Sequence, residues 1–210
     1  MKYQKWEKLA RKYNRLWVQK YSLGPTRREV LKLLLPRLQA NPCLRLFEAG
    51  CGTGQLISEI SARYPQAEYL GIDAARNMIR IAKKNVKGQK IRFRTCPVEE
   101  FRSTEKYDII LCTHAFPYFP EKEAALRKFA WLCSPGAAVI IVNSSTNSLK
   151  DLIINFFLKA TTSRARYLSI KEMKALFRKT GFDLKKVKII RERFYMPTIA
   201  LFYLENQSNQ

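Results

Sequence analysis

Residues 44–55 read Leu-Arg-Leu-Phe-Glu-Ala-Gly-Cys-Gly-Thr-Gly-Gln. A short apolar run ends in an acid, and glycines follow at alternate positions, Gly50, Gly52 and Gly54, before the helix-like run 56–64. This pattern predicts a strand, a tight turn and a helix. Glycine suits the turn because it accepts positive φ and lets backbone approach where a Cβ would collide. The unpaired amides that open the following helix carry partial positive charge, so the turn can hold a polar or anionic group.

Downstream, strand-like and helix-like segments alternate, which predicts a parallel sheet with helices on both faces. The run 68–73 is a short apolar strand ending in Asp73, about twenty residues past the glycines, where a carboxylate is placed to accept two hydrogen bonds from a diol. A helix over 75–85 follows, and Asp73 also suits its N-terminus. Residues 91–96 alternate like a third strand and 107–112 form a fourth. The helix 121–133, a Ser-Pro-Gly turn and the apolar run 137–142 give the fifth strand. Residues 169–180 read as a capped helix ending at Gly181, and the last two strands are expected at 184–194 and 198–204.

Upstream, Tyr3, Trp6, Leu9 or Ala10, Tyr13, and Leu16 or Trp17 recur at three- and four-residue steps, predicting a helix over 3–20. Ser22-Leu23-Gly24-Pro25 is expected to end it, and Thr26 to cap a second helix reaching Leu38.

The seven residues Glu48-Ala49-Gly50-Cys51-Gly52-Thr53-Gly54 fit every position of acidic-x-Gly-x-Gly-x-Gly. On this motif the chain resembles the class I S-adenosylmethionine-dependent methyltransferases. Neither the Gly-x-Gly-x-x-Gly spacing of dinucleotide-binding turns nor the phosphate-binding lysine motif is present. The order of elements over residues 40–204 agrees, and in tone it is nearest the small-molecule enzymes of the ubiquinone/menaquinone-biosynthesis type. The resemblance implies an α/β, Rossmann-like, seven-stranded, mostly parallel sheet with helices on both faces. It also implies an N-terminal helical lid over 1–40, a core over 41–205 with a substrate-lid insertion at 143–168, and a polar tail at 206–210.

The same resemblance implies S-adenosyl-L-methionine as cofactor and S-adenosyl-L-homocysteine as product. Asp73 then binds the ribose hydroxyls, with Ala74 and Met78 beside the adenosine and Glu48, Gly50, Cys51, Gly52, Gly54 and Thr113 around the rest of the cofactor. Pro97 stands where relatives place an acid, which leaves adenine to the backbone at Val98 or to Glu99. In the segment after the fourth strand, Phe116-Pro117-Tyr118 invites comparison with the motif of base-amine methylating enzymes, but Ala115 replaces the oxygen-bearing residue. Tyr13, Trp17, Phe116 and Tyr118 are the expected substrate pocket. His114, the sole histidine, is either a general base or a cofactor-lining residue.

Charge bears on partners, or on solubility alone. The chain of 210 residues carries +22, unevenly spread. Residues 1–45 hold twelve Lys/Arg against two acids, residues 150–210 thirteen against five, and the middle fourteen against ten. Basic flanks around a near-neutral core attract anions. The first reading is transfer of a methyl group to a small anionic or aromatic metabolite by direct displacement; the second is an RNA or protein methyltransferase that grips a polyanion, with a membrane surface as a further partner. One histidine and no close Cys-x-x-Cys pair argue against a metal site, and the five cysteines read as reduced thiols in a cytoplasmic protein.

Overall fold

The computed structural model describes residues 3–162, 165–190 and 197–206. Seven strands form one sheet: β1 (Arg45–Ala49), β2 (Glu68–Asp73), β3 (Ile91–Thr95), β4 (Tyr107–Thr113), β5 (Cys133–Ser144), β6 (Phe182–Ile190) and β7 (Ile199–Asn206), in the order β3-β2-β1-β4-β5-β7-β6. The pairs among β1 to β5 are parallel, while β7 runs antiparallel to both β5 and β6. Sheet topology therefore agrees with the resemblance. The last predicted strand residues, 191–194, lie outside the described residues, as does the tail at 207–210.

Helices α1 (Gln4–Tyr13), α2 (Gly24–Ala40), α3 (Gln55–Ser61), α4 (Arg76–Asn85), α5 (Lys122–Leu132), α6 (Leu149–Thr162) and α7 (Ile170–Lys179) complete the chain. Strand alternation divides the core between the two sheet faces. Phe47, Ile110 and Ile141 pack with Leu126 and Phe129 of α5 and Met173 and Phe177 of α7. Their strand neighbours Leu46, Ile109 and Ile140 pack with Val30, Leu34 and Leu38 of α2 and Ile57 of α3. The helix α7 opens with the capping box that Ser169 promised: Glu172 N–H donates to Ser169 Oγ, and Ser169 N–H donates to Glu172 Oε2.

The N-terminal region departs from its sequence reading. The helix expected over 3–20 stops at Tyr13, because Asn14 turns its side chain to accept from Thr53 Oγ1 at 2.6 Å and Gln19 Nε2 donates to the Tyr13 carbonyl. Residues 19–23 form one π turn that runs straight into α2. Gly24-Pro25 begins α2 instead of separating two helices, since proline is tolerated in a first helical turn, where its missing N–H has no partner to lose. Thr26 consequently sits inside α2, fully buried, and caps nothing.

Glu7 explains where α1 rests. Ala75 at the N-cap of α4 has no side chain able to cap it, so two carboxylates from elsewhere serve the exposed amides. Asp73 Oδ1 accepts from Ala75 N–H, while Glu7 accepts from Arg76 N–H at 2.7 Å and Asn77 N–H at 2.8 Å. Ala10, Ala75 and Met78 pack beneath this latch. We predict that Glu7→Ala lowers stability by about 0.5–2 kcal/mol, the range for a lost cap, as read by urea unfolding. An unchanged midpoint would show that the latch contributes nothing.

Candidate active site

Past the carboxyl ends of β1, β2 and β4, the glycine turn borders a cleft that opens to solvent. That position, beyond the strand ends of an open α/β sheet, is where ligands of such folds bind. Tyr3, Trp6 and Tyr13 of the lid region close one side; Gly50, Gly52, Asp73, Met78, Val98 and Glu99 line the floor. A second cavity, bordered by Thr26, Arg27, Glu48 and Gln55, shares Tyr13, Gly50, Gly52, Thr113 and His114 with the first.

Two glycines are required here by geometry. At Gly50, φ is +73° and an added Cβ would stand 2.2 Å from the Ala115 Cβ. At Gly52, φ is +54°, and its N–H donates to Asp73 Oδ2 at 2.9 Å. Asp73 thus ties the turn to α4, one carboxylate oxygen to each.

The electrostatics are those of acids held out of water. Burial pushes Glu48 up to about 8, with the nearby Asp73 charge adding and a hydrogen bond from Thr113 Oγ1 opposing. Burial likewise raises Asp73 to about 6, against the hydrogen bonds from Ala75 and Gly52. Glu48 Oε2 and Glu99 Oε1 are buried and meet no hydrogen-bond partner among the described residues. Such acceptors are costly unless a ligand supplies the donor. Arg27 brings a cation to the second cavity, bonded to Glu59 Oε1, Gln19 Oε1 and Gln55 Oε1.

His114 follows β4 with φ of +56°, the sole non-glycine positive φ among the described residues. Its Nε2 lies 2.8 Å from the Thr26 hydroxyl, and burial, aided by Arg27, lowers its pKa to about 4. The ring is therefore neutral at physiological pH.

Comparison with known proteins is consistent with this site. A family model described as a methyltransferase domain matches residues 46–136, which include the glycine turn and Asp73. The resemblance to the class I S-adenosylmethionine-dependent methyltransferases is supported by this match. It is 27% identical over 175 residues to the ubiquinone biosynthesis O-methyltransferase of Bordetella avium, covering 78% of this chain and 70% of that one. It is 31% identical over 127 residues to the malonyl-[acyl-carrier protein] O-methyltransferase of Bacillus anthracis, covering 60% of this chain and 47% of that one. In fold it is similar to the magnesium protoporphyrin IX methyltransferase of Synechocystis PCC 6803 with bound SAH, at a TM-score of 0.70 and 19% identity over 90% of this chain and 86% of that one. Among the described residues no helix is long and apolar enough to cross a membrane, and no cluster of His, Cys, Asp or Glu could hold a metal ion.

In this methyltransferase the structure brings most of the expected site residues together. Gly50, Gly52, Asp73, Ala74, Met78, Val98, Glu99, Thr113, His114, Tyr13 and Tyr118 line the main cleft, and Glu48 and Cys51 the second cavity. Gly54 does not face either; its φ of +76° starts α3, and a Cβ there would meet the Phe93 ring. Two substrate-pocket expectations fail. Trp17 is 55% exposed and lines neither cavity, because α1 ends four residues before it. Phe116 is 1% exposed and packs into the core beneath the cleft. Trp6 takes the place given to Trp17, edge-on to Tyr118 at 5.1 Å and to Tyr13 at 6.2 Å. The signal was available, since Trp6 and Tyr13 stand seven residues apart on one helical face. Thr26 was missed because it was read as a cap, and nothing in the spacing singles out Arg27.

The fit of a cofactor bearing an ammonium group follows from the orphaned Glu48 oxygen. Ionised Glu48 is the form that pairs with such a cation, so below pH 8 binding must expel a proton. We predict that affinity for S-adenosylhomocysteine, measured by calorimetry, rises by up to about tenfold per pH unit between pH 6 and 8. The Glu48→Gln variant should bind more weakly with a flat profile; a flat profile in the wild type would remove Glu48 from the site.

Proposed function

We propose that this methyltransferase acts on a small, aromatic or anionic acceptor held between the lid region and the segment after β4, and that the acceptor atom is oxygen. The observation that carries the reading is the aromatic wall over the cleft: Trp6 stands edge-on to Tyr13 and Tyr118, with Tyr3 and Phe119 beside them. Flat rings packed at such angles favour a planar partner. The names of the relatives agree, since a quinone precursor, a malonyl group and a porphyrin are aromatic or anionic, and two of the three enzymes are named O-methyltransferases.

Bound S-adenosylmethionine supplies an electrophilic methyl group on a sulfonium. Glu48 Oε2 is the acceptor for its ammonium group, Arg27 the cation for its carboxylate, Asp73 the acceptor for the ribose hydroxyls, and Val98 with Glu99 the border of its adenine. Asp73 can accept from a diol while keeping the Gly52 and Ala75 amides, because each carboxylate oxygen has a second lone pair. The lid aromatics exclude water from the reacting region, which favours a step that neutralises charge. Arg166 and Tyr167 join the cover: Arg166 N–H donates to the Pro117 carbonyl, and the Tyr118 and Tyr167 hydroxyls lie 3.3 Å apart.

His114 serves this reaction as a neutral wall residue rather than as its base. A group with a pKa of about 4 takes protons poorly at neutral pH, and an already ionised oxygen needs only positioning. We predict that His114→Asn keeps kcat within about tenfold of wild type, whereas loss of a general base costs roughly 10²–10⁴. The acceptor class is tested by incubating the protein with methyl-labelled S-adenosylmethionine and fractionated cell extract. Label is expected in low-mass product; label in RNA or protein would overturn the reading.

A further inference from the structure

His114 is held in its turn from two sides. Its φ of +56° is a backbone state that residues other than glycine seldom adopt, and its N–H donates to the Val142 carbonyl of β5 at 2.6 Å. The ring reaches α2, where Nε2 lies 2.8 Å from Thr26 Oγ1, and it borders both cavities. Thr26 is fully buried, and among the described residues its hydroxyl meets no other hydrogen-bond partner. A buried O–H that is not donated carries the full cost of its lost hydration. Thr26 therefore donates, and Nε2 accepts.

A neutral imidazole carries one N–H, so with Nε2 accepting, the proton sits on Nδ1. Nδ1 has no hydrogen-bond partner among the described residues. It is also not one of their sealed orphans, which are Glu48 Oε2, Glu99 Oε1 and Asn143 Oδ1, so it opens on the cavities that its ring borders. The cavity it shares with Thr26 also holds Arg27 and Glu48. A cation, an unpartnered acceptor and a neutral donor together match the two ends of an amino acid: the ammonium goes to Glu48, and the carboxylate, with about four lone-pair sites, takes Arg27 and one donor more. An acceptor oxygen in the aromatic cleft could use the same N–H, but Arg27 stands near enough to disfavour protonation of the ring, which places the donor at the carboxylate's end. We propose that His114 donates its Nδ1–H to the carboxylate of the cofactor, and that Thr26 is the positioning residue that fixes the tautomer able to do so. The ligand half rests on the cofactor reading given above; the tautomer half stands without it.

Because the chain has a single histidine, nitrogen NMR of the full chain labelled at the histidine nitrogens reads this ring alone. The wild type at neutral pH is expected to show the proton on Nδ1 and a bare Nε2, Thr26→Val a mixed or reversed tautomer, and Thr26→Ser the wild-type pattern. Calorimetry reads the ligand half with two probes, S-adenosylhomocysteine and 5′-methylthioadenosine, which lacks the amino-acid end. His114→Ala should weaken S-adenosylhomocysteine by about tenfold to a hundredfold, the cost of a lost hydrogen bond to a charged group, and leave methylthioadenosine unchanged. His114→Asn tolerates positive φ and offers an amide N–H in place of Nδ1–H, so it should restore most of the affinity. A proton on Nε2 in the wild type, equal losses for both probes or for neither in the Ala variant, or an Asn variant as weak as Ala would overturn the proposal. A wild type that shows the Nδ1 proton yet binds neither probe would overturn the cofactor reading beneath it.

Discussion

The hydrogen bonds of Asp73 are the constraint on which the site depends. One carboxylate, placed by the end of β2, receives the Gly52 amide through one oxygen and the Ala75 amide through the other. This joins the two turns that open α3 and α4 and sets the floor of the cleft. Glu7 extends the arrangement by serving the next two amides of α4, so the lid region is positioned by the same unsatisfied helix terminus. Lid, glycine turn and floor are parts of one polar junction, and the aromatic wall over the cleft follows from where that junction holds α1.

Burial gives this junction its chemistry. Glu48 and Asp73 stand close to each other, and burial raises both carboxyls, to about 8 and about 6. Such acids suit positive or hydroxyl-bearing partners, and Glu48 Oε2 has no hydrogen-bond partner among the described residues. His114 is affected in the opposite direction, since burial and Arg27 both disfavour its cation. The site therefore concentrates latent negative charge at Glu48 and Asp73 and keeps its histidine neutral.

The core was legible in the sequence because its signals are local. Alternating glycines, an acid at a strand end and apolar runs of five or six residues each report one element, and the sheet followed with its antiparallel end. The lid was less legible because it depends on distant partners. Periodicity continued through Trp17, yet the helix stops at Tyr13, where Asn14 finds Thr53 and Gln19 finds a carbonyl. Thr26 had the composition of a cap but is buried against His114, eighty-eight residues away. Phe116 looked like a pocket residue by its motif, while the 3₁₀ turn over 116–118 sends its ring into the core and presents Tyr118. Long-range pairing, invisible to spacing, decided each of these cases.

The central claim is that the cleft around the glycine turn is the cofactor site, with Glu48 and Asp73 as its polar anchors. The most direct measurement is a crystal structure with S-adenosylhomocysteine. The account predicts the ammonium group against Glu48 Oε2 and the ribose hydroxyls on Asp73, with the adenine bordered by Val98 and Glu99. A ligand bound elsewhere, or one that leaves Glu48 Oε2 without a partner, would contradict it.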